Sequence, residues 1–238
     1  MNFVIPMAGL GSRFTKAGYN LPKMMIEAKG KTLLEWSIDS LPLELCSSLI
    51  CVMLTEHEEK FNLSAFIFSK YANRVDSIKF VFLDEVTKGQ AETVYLAKAE
   101  IDSTKDLVIF NIDTAFSSNT LAGNLKNSTC DGVLGAFLSS EDRFSYAKVD
   151  EVGIVVETAE KIVLSDFALT GLYHFKKPSD FYSTYEYHLK NEIQFKGEYY
   201  IAPMYNYLIE NGLKFSLDLV ETLDILGTPD ELAIFIAK

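Results

Sequence analysis

The chain has 238 residues, 48% of them hydrophobic, and a formal net charge of −11 at pH 7. That much apolar material can build a sizeable core, which excludes an intrinsically disordered chain. Such a negative chain repels phosphate backbones at long range, so we expect no nucleic-acid partner. No apolar run approaches the roughly 18 residues of a membrane-spanning helix, and the N-terminus lacks the pattern of a signal peptide. We therefore expect a cytoplasmic protein that is not inserted into a membrane.

Strand and helix patterns alternate through the first half of the chain. In order, the predicted elements are a strand over Asn2–Pro6, a helix over Thr32–Leu41, a strand over Leu49–Leu54, a helix over Lys60–Asn73, a strand over Ile78–Leu83, a helix over Gln90–Ile101 and a strand over Asp106–Ile112. Buried strands separated by helices of about 10 to 15 residues favour right-handed βαβ units on a parallel sheet.

After Asp131 the pattern changes to shorter strand-like runs, and Asp150–Gly153 has the residues of a hairpin turn. The predicted elements of this half are strands over Gly132–Leu138, Tyr146–Val149, Ile154–Thr158, Thr170–Phe175 and Phe215–Leu219, and helices over Ser179–Lys190, over Ile201–Asn211 and from Pro229 onward. We predict one α/β domain of Rossmann-like type, with a mainly parallel, mixed central sheet flanked by helices.

Three cysteines, Cys46, Cys51 and Cys130, show no spacing typical of metal ligands. An odd number of cysteines in a chain without a secretion signal favours free thiols over disulfides. We expect all three to be reduced and buried.

A glycine-rich segment, MAGLGSRF over residues 7–14, directly follows the first predicted strand. Glycines let a backbone approach a ligand and turn its N–H groups inward, which suits phosphate oxygens, although an ordinary tight turn has the same residues. The dinucleotide fingerprint G-x-G-x-x-G fails because position 14 is Phe14, which argues against a nicotinamide-dependent oxidoreductase. No Gly-Lys-Ser/Thr follows either, so the segment is not a P-loop.

Two cations follow the glycine segment, Arg13 at once and Lys23 further on. Arginine offers phosphate a planar fork and lysine a point charge. In so acidic a chain, this placement favours an anion-binding site over two solvated surface cations.

The pattern G-x-G-x-R-[FL] with a downstream Pro-Lys resembles the signature of the sugar-phosphate nucleotidyltransferases. This GT-A-like α/β family includes glucose-1-phosphate thymidylyl-, uridylyl- and cytidylyltransferases, with phosphocholine cytidylyltransferases as relatives. The resemblance covers nearly the whole chain in the family's order. It runs through MAGLGSRF (7–14), GYNLPKMMIEAKGKTLLEW (18–36), TKGQAETVYLAK (87–98), FNIDT (110–114), ETAEK (157–161), TGLYHF (170–175), GEYYIAPMYN (197–206) and LGTPDEL (226–232).

The resemblance implies a nucleotide-binding half over residues 1–130 and an acceptor-binding half over residues 131–238. The loop that would hold the nucleoside triphosphate comprises Met7, Ala8, Gly9, Leu10, Gly11 and Ser12. By the same resemblance, Arg13 would stabilise the leaving pyrophosphate, Lys23 would contact the α-phosphate, and Gln90 would read the base edge.

The remaining family roles fall on later segments. Asp113, at the end of a predicted strand, would ligate Mg²⁺, in keeping with the rule that ligands bind beyond the carboxyl ends of strands in open α/β sheets. Lys161 would hold the acceptor phosphate. Gly171 and Glu198 would line the acceptor pocket. The three histidines belong to no catalytic constellation.

Asp224 is a tentative second metal ligand. Many family members place an Asp in a late W-x-D-x-G-T segment, whereas here Asp224 lies one residue further from the glycine. A local bulge would bring it to the metal; otherwise it is a surface carboxylate, and Mg²⁺ is held by Asp113 and phosphates alone.

Seven tyrosines crowd the second half of the chain. Aromatic residues at helical spacing are usually core, although some could form a surface for a sugar face or a cationic head group. The seven are Tyr182, Tyr185, Tyr187, Tyr199, Tyr200, Tyr205 and Tyr207.

The sequence therefore predicts a nucleotidyltransferase that joins a nucleoside triphosphate to a phosphorylated small molecule. The leading acceptor is a sugar 1-phosphate, for synthesis of surface polysaccharide precursors. One alternative is a CTP-dependent cytidylyltransferase acting on phosphocholine or another non-sugar phosphate; another is a catalytically inactive nucleotide-binding module. The base, the acceptor and the oligomeric state stay open, although relatives are commonly oligomeric and a homo-oligomer is one expectation.

Overall fold

The computed structural model describes all residues from 1 to 238. In chain order its elements are β1 (Asn2–Met7), α1 (Ser12–Lys16), β2 (Glu27–Ala28), β3 (Lys31–Thr32), α2 (Leu33–Ile38), β4 (Ser48–Leu54), α3 (Thr55–Phe61), α4 (Leu63–Tyr71), β5 (Ile78–Leu83), α5 (Gln90–Leu96), β6 (Leu107–Ile109), β7 (Thr114–Ser117), α6 (Leu121–Asn127), β8 (Gly132–Leu138), β9 (Ser145–Val149), β10 (Val155–Glu160), β11 (Phe167–Phe175), α7 (Pro178–Lys190), α8 (Met204–Glu210), β12 (Phe215–Leu219), β13 (Thr222–Ile225) and α9 (Pro229–Ala237). No helix is both long and apolar enough to cross a bilayer.

Nine strands form the central sheet in the order β10-β9-β11-β6-β1-β4-β5, and β8 pairs with both β11 and β12. Pairing is parallel from β6 through β1 and β4 to β5, and again between β8 and β12. Antiparallel pairing surrounds β11 and joins β9 to β10. The predicted mainly parallel, mixed sheet flanked by helices is confirmed.

Both faces of this sheet are covered, as the continuous apolar run of β1 requires. Val4 packs into one core together with residues of α5, α7 and α8. Phe3 and Ile5 point the other way and pack with α2, α4 and α6. A third, smaller cluster around Phe14 and Phe235 anchors α1 and α9.

Several predicted elements have other bounds in the structure. The helix predicted over 60–73 corresponds to the end of α3, which begins earlier at Thr55, and to α4; Asn62, whose φ of 49° breaks the helical path, separates them. The helices predicted over 32–41 and 90–101 end at Ile38 and Leu96. The strand predicted over 106–112 ends at Ile109, after which the chain leaves the central sheet. It then forms β7, which pairs antiparallel with β13 in a small separate sheet. Neither β7 nor β13 was predicted, because four-residue strands give little periodic signal.

All three cysteines are free and buried, as predicted. Burial raises the pKa of the Cys46 thiol to about 12, so it is protonated at neutral pH.

The topology brings several loops to one edge of the sheet. Since β1 and β6 are parallel, the glycine loop after Met7 and the segment after Ile109 leave the sheet at the same edge. In the antiparallel β11, Tyr173 pairs with Ile109, so Gly171 lies just beyond that edge as well. Residues from both halves of the chain therefore meet where the parallel strands end.

Candidate active site

A cleft of about 930 Å³ opens at this edge of the sheet. It is lined by residues of both predicted halves of the chain. Those that the sequence interpretation named are Ala8, Gly9, Leu10, Gly11, Ser12, Arg13, Gln90, Asp113, Lys161, Gly171 and Glu198. The structure therefore brings together, in one cleft, the residues expected to hold the nucleotide and those expected to hold the acceptor.

Met7 and Lys23 are not part of the cleft lining. The Met7 side chain is buried in the core beneath the sheet, so only its backbone is left to face a ligand. Lys23 begins a short 3₁₀ turn behind the glycine loop, and its ammonium group contacts Asp113, which does line the cleft.

The glycine loop packs directly against the Lys23 segment. A Cβ atom on Gly11 would lie 3.1 Å from Lys23 Cβ, closer than two carbons normally approach. The absence of a side chain at Gly11 thus allows Lys23 to lie under the loop. Arg13 is exposed at the start of α1, and no carboxylate lies within 4.0 Å of it, which leaves its guanidinium free for an anion.

The Lys23 ammonium donates a hydrogen bond of 2.8 Å to Asp113 Oδ2. The Lys23 side chain is 14% exposed and that of Asp113 is 35% exposed, so the carboxylate still faces the cleft. Burial alone would raise the pKa of Asp113, but the charge and hydrogen bond of Lys23, with a contribution from Arg13, lower it below its ordinary value. Asp113 is therefore ionised at neutral pH, as a metal ligand must be.

Asp113 is an ionised carboxylate of the cleft, the kind of group that can bind Mg²⁺. Mg²⁺ commonly takes one or two carboxylates and fills its other positions with water and substrate phosphates. No group of three or more His, Cys, Asp or Glu side chains gathers as a metal cage in the protein. The donor set thus fits an ion that binds together with a nucleotide.

Asp224 does not reach this place. Its neighbours Leu223 and Ile225 line the cleft, and side chains alternate along β13, so Asp224 points to the opposite side. There its Oδ1 accepts a hydrogen bond of 2.5 Å from the Lys238 ammonium. Of the two alternatives left open for Asp224, this placement favours a carboxylate outside the cleft over a metal ligand.

Gln90 begins α5 and donates a hydrogen bond to Asn111 Oδ1. Asn111 in turn contacts the backbone of β11 at Gly171, where a Cβ atom would lie 2.0 Å from Asn111 Nδ2. Gly171 also has a φ of 89°, a conformation that disfavours other residues. The residue expected to read the base is thereby fixed against a strand from the acceptor half.

Lys161 follows the last residue of β10. Its ammonium donates a hydrogen bond of 3.1 Å to Tyr200 Oη and lies 3.5 Å from Glu160 Oε1. Glu160 is 5% exposed and accepts a hydrogen bond from Ser145 Oγ. Burial is the main cause that raises the pKa of Glu160, and Ser145 and Lys161 offset part of that effect.

Several polar side chains of the cleft were not assigned a role from the sequence. Among them are Asn111, Arg143, Ser145, Glu160, Tyr200 and Glu231. Asn111 could have been found, because it lies two residues before Asp113 beyond the carboxyl end of a strand. Arg143 and Glu231 gave no signal, since these hydrogen-bonded residues are 88 positions apart in the chain.

Four of the seven tyrosines are core residues, as the commoner interpretation predicted. Tyr182, Tyr185, Tyr199 and Tyr205 are buried in the core that covers one face of the sheet. Tyr200 is the member of the set that lines the cleft.

Comparison with known proteins agrees with this geometry. Residues 3–211 match the model of a family described as nucleotidyl transferase. A nucleoside-diphosphate-sugar pyrophosphorylase from Vibrio cholerae RC9 is 33% identical, and the match covers 99% of this chain and 100% of that one with a TM-score of 0.86. The UTP–glucose-1-phosphate uridylyltransferase AglF of Haloferax volcanii is 25% identical over 89% of this chain and 85% of its own.

The fold extends to more distant structures. The inositol-1-phosphate CTP transferase of T. maritima is 14% identical and superposes with a TM-score of 0.77 over 97% of this chain and 90% of that one. At that identity the likeness concerns the fold alone. Together with the match over 3–211 and the 33% identical relative, the cleft leads to one conclusion: this chain belongs to the nucleotidyl transferase family and is an enzyme of that class.

Proposed function

We propose that the enzyme transfers a nucleoside monophosphate group from a nucleoside triphosphate to a sugar 1-phosphate and releases pyrophosphate. One observation supports the proposal: Arg13, Asp113 and Lys161 line a single cleft, and Asp113 is ion-paired with Lys23 behind the glycine loop. The cations proposed to bind the triphosphate and the cation proposed to bind the acceptor phosphate are thus at the same cleft. We place the enzyme in the cytoplasm, where nucleoside triphosphates are available, and in the supply of precursors for surface polysaccharide.

In the proposed reaction, a phosphate oxygen of the acceptor attacks the α-phosphorus of the triphosphate, and pyrophosphate leaves opposite it. The acceptor phosphate is already anionic near neutral pH, so no general base is required. The demand is for alignment and for neutralisation of crowded negative charge. Lys23 would contact the α-phosphate, Arg13 the departing pyrophosphate and Lys161 the acceptor phosphate.

A Mg²⁺ ion bound at Asp113 would supply further charge neutralisation on the phosphate oxygens. Lys23 is paired with Asp113 in the structure. When the nucleotide binds, its phosphate oxygens would replace Asp113 as the partner of the Lys23 ammonium. The carboxylate released in this way would then be available to the ion.

A sugar acceptor is favoured by the relatives, whose names refer to sugar nucleotides and to glucose 1-phosphate. The cytidylyltransferase alternative has one supporting feature, a side cavity of about 220 Å³ with aromatic and carboxylate lining next to the acceptor end. Its Phe195 and Tyr200 rings, however, already face the Lys161 ammonium of the protein itself. A second cation on those ring faces would meet repulsion, so we prefer the sugar acceptor.

An assay of pyrophosphate release tests the proposal. The purified protein is incubated with Mg²⁺, each of UTP, CTP, dTTP, ATP and GTP, and a panel of sugar 1-phosphates with phosphocholine as the non-sugar member. We expect release with a sugar 1-phosphate and one preferred nucleotide, with the sugar nucleotide detected by mass spectrometry. Thermal stabilisation by a nucleotide without turnover of any pair would instead support an inactive binding module.

A further inference from the structure

The Lys161 side chain lies in a small aromatic and acidic enclosure whose other members have no role in the proposal above. Its ammonium lies 4.9 Å from the centroid of the Tyr200 ring and 5.5 Å from that of the Phe195 ring. The two rings meet edge to face, 6.0 Å apart at 82°. A cation over such ring faces is attracted by their negative electrostatic potential.

Two oxygen atoms complete the enclosure. Tyr200 Oη accepts a hydrogen bond of 3.1 Å from Lys161, and Glu160 Oε1 lies 3.5 Å away. The Glu160 carboxylate is itself held by a hydrogen bond from Ser145, which fixes one of the groups that contact the ammonium. Desolvation lowers the pKa of Lys161, but its hydrogen bond to Tyr200 and the charge of Glu160 outweigh this and raise the pKa above the ordinary value.

The aromatic pair comes from one short segment with a rigid backbone. Phe195 and Glu198 exchange backbone hydrogen bonds of 3.0 and 3.1 Å, which closes a two-residue turn at Lys196 and Gly197. Both turn residues have positive φ angles, 50° and 82°, as this tight hairpin turn requires.

The next residue ties the segment to the nucleotide side of the cleft. The Tyr199 N–H donates to the Lys88 carbonyl at 2.7 Å, and the Tyr199 carbonyl accepts from Ala91 at 3.1 Å. Gly89 packs so closely on this backbone that a Cβ there would lie 2.8 Å from Tyr199 N and O. The segment is therefore anchored beside Gln90 at one end, while its aromatic side chains enclose Lys161.

We propose that Tyr200 and Phe195 are positioning residues that hold the Lys161 ammonium at a fixed distance from the base-reading start of α5. The role of this fixed ammonium position rests on the proposed function, in which Lys161 binds the acceptor phosphate. A lysine stem has four rotatable bonds, and holding its ammonium in advance reduces the entropy lost when the phosphate binds. The enclosure thus sets where the acceptor phosphate lies relative to the nucleotide.

Amine labelling of the substrate-free protein tests this without any acceptor. Only a neutral amine reacts with the label, so a protonated Lys161 held by its neighbours is labelled slowly. The labelling rate of Lys161 is measured at several pH values by mass spectrometry of the peptide that contains it. Lys126, an exposed lysine at the end of α6, serves as the internal reference. Two variants test the contacts separately. Tyr200→Phe keeps the ring and removes the hydroxyl, so we expect the Lys161 amine to be labelled about threefold faster and the pKa of Lys161 to fall. In Phe195→Leu we expect about twofold faster labelling.

The matched control is Tyr187→Phe, on the exposed side of α7, where no change at Lys161 is expected. Equal thermal denaturation midpoints identify variants that keep the fold. Unchanged Lys161 labelling in both Tyr200→Phe and Phe195→Leu would overturn the positioning role. Failure of the proposed function shows itself separately, as absence of nucleotidyl transfer by the unmodified enzyme or as an unchanged acceptor KM in Lys161→Met.

Discussion

Lys23 and Asp113 are 90 positions apart in the chain and form a 2.8 Å ion pair at the edge of the sheet where β1 and β6 end. The two opposite charges of the pair neutralise each other. In the proposed reaction, substrate binding would exchange this contact for two new ones, ammonium to phosphate and carboxylate to metal. Nucleotide and Mg²⁺ are therefore expected to bind with positive coupling, each easing the binding of the other.

Replacement of Asp113 by Asn should abolish most Mg²⁺-dependent turnover while leaving the fold intact. The amide keeps the shape of the side chain but loses the charge that an ion requires, and we expect the rate to fall by about 100-fold or more. Steady-state pyrophosphate release and circular dichroism measure the two effects.

Asp224→Asn is the matched control, because it changes the same side chain on a strand that runs beside Asp113. Its carboxylate is paired with Lys238 outside the cleft, so the rate should stay within about twofold of the unmodified enzyme. A normal rate in Asp113→Asn, or a large loss in Asp224→Asn, would reverse our assignment of the metal ligand.

Lys161→Met should affect the acceptor more than the nucleotide. Methionine keeps most of the apolar stem but removes the charge, and we expect the acceptor KM to rise by about tenfold with little change in the nucleotide KM. The measurement is a pair of saturation curves, one for each substrate. Lys190→Met, at the exposed end of α7, should leave both values unaltered, and an equal rise of both in Lys161→Met would argue against a role on the acceptor side.

Gly171→Ala should destabilise the protein and disturb base recognition together. The new Cβ would lie 2.0 Å from Asn111 Nδ2, which must shift and weaken the hydrogen bond from Gln90. Strain at positive φ and overpacking together give a loss of roughly 2 to 5 kcal/mol in unfolding free energy. The nucleotide KM should rise as well.

Gly153→Ala separates the effect of strain at positive φ from the effect of overpacking against Asn111. Gly153 has a φ of 84°, close to the 89° of Gly171, but nothing lies within 4 Å of its missing Cβ. Only the strain of about 1 to 2 kcal/mol is expected there, with an unaltered nucleotide KM. Urea unfolding of both variants gives the comparison, and equal losses would show that the contact with Asn111 contributes nothing.

Because His188 is buried, we expect acid to lower the free energy of unfolding. Burial lowers the pKa of its imidazole below 6.5, partly offset by the hydrogen bond with the Thr184 carbonyl. Below pH 6.5 the unfolded chain therefore binds a proton that the folded protein resists, and stability falls as pH decreases from 7 towards 5. His188→Asn should lose less stability over this interval in urea unfolding; an identical loss would show that His188 does not contribute.

Much of this architecture could be predicted from local sequence. The apolar run at Asn2–Pro6 predicted β1, and the glycine segment after it predicted a loop that the structure places at the cleft, because both are signalled by neighbouring residues in the chain. The pairing of Lys23 with Asp113 was beyond prediction, since it depends on the parallel register of β1 and β6. Asp224 is a further example: its spacing from Gly227 left two alternatives open, and the alternation of side chains along β13, which places Asp224 outside the cleft, is visible only in the structure.

Acceptor-side contacts were the least predictable. Tyr200 gave no signal distinct from Tyr199, although one lines the cleft and the other is core. The difference depends on contacts distant in the chain, since the backbone of Tyr199 is hydrogen-bonded to Lys88 and Ala91.

Labelling with ¹⁸O is the most direct test of whether an acceptor phosphate oxygen attacks the α-phosphorus in this cleft. The acceptor is a sugar 1-phosphate with ¹⁸O in its non-bridging phosphate positions, incubated with the preferred nucleotide and Mg²⁺. We expect a sugar nucleotide that retains every labelled oxygen and a pyrophosphate that contains none. Label in the pyrophosphate, or loss of a labelled oxygen from the sugar nucleotide, would contradict this mechanism.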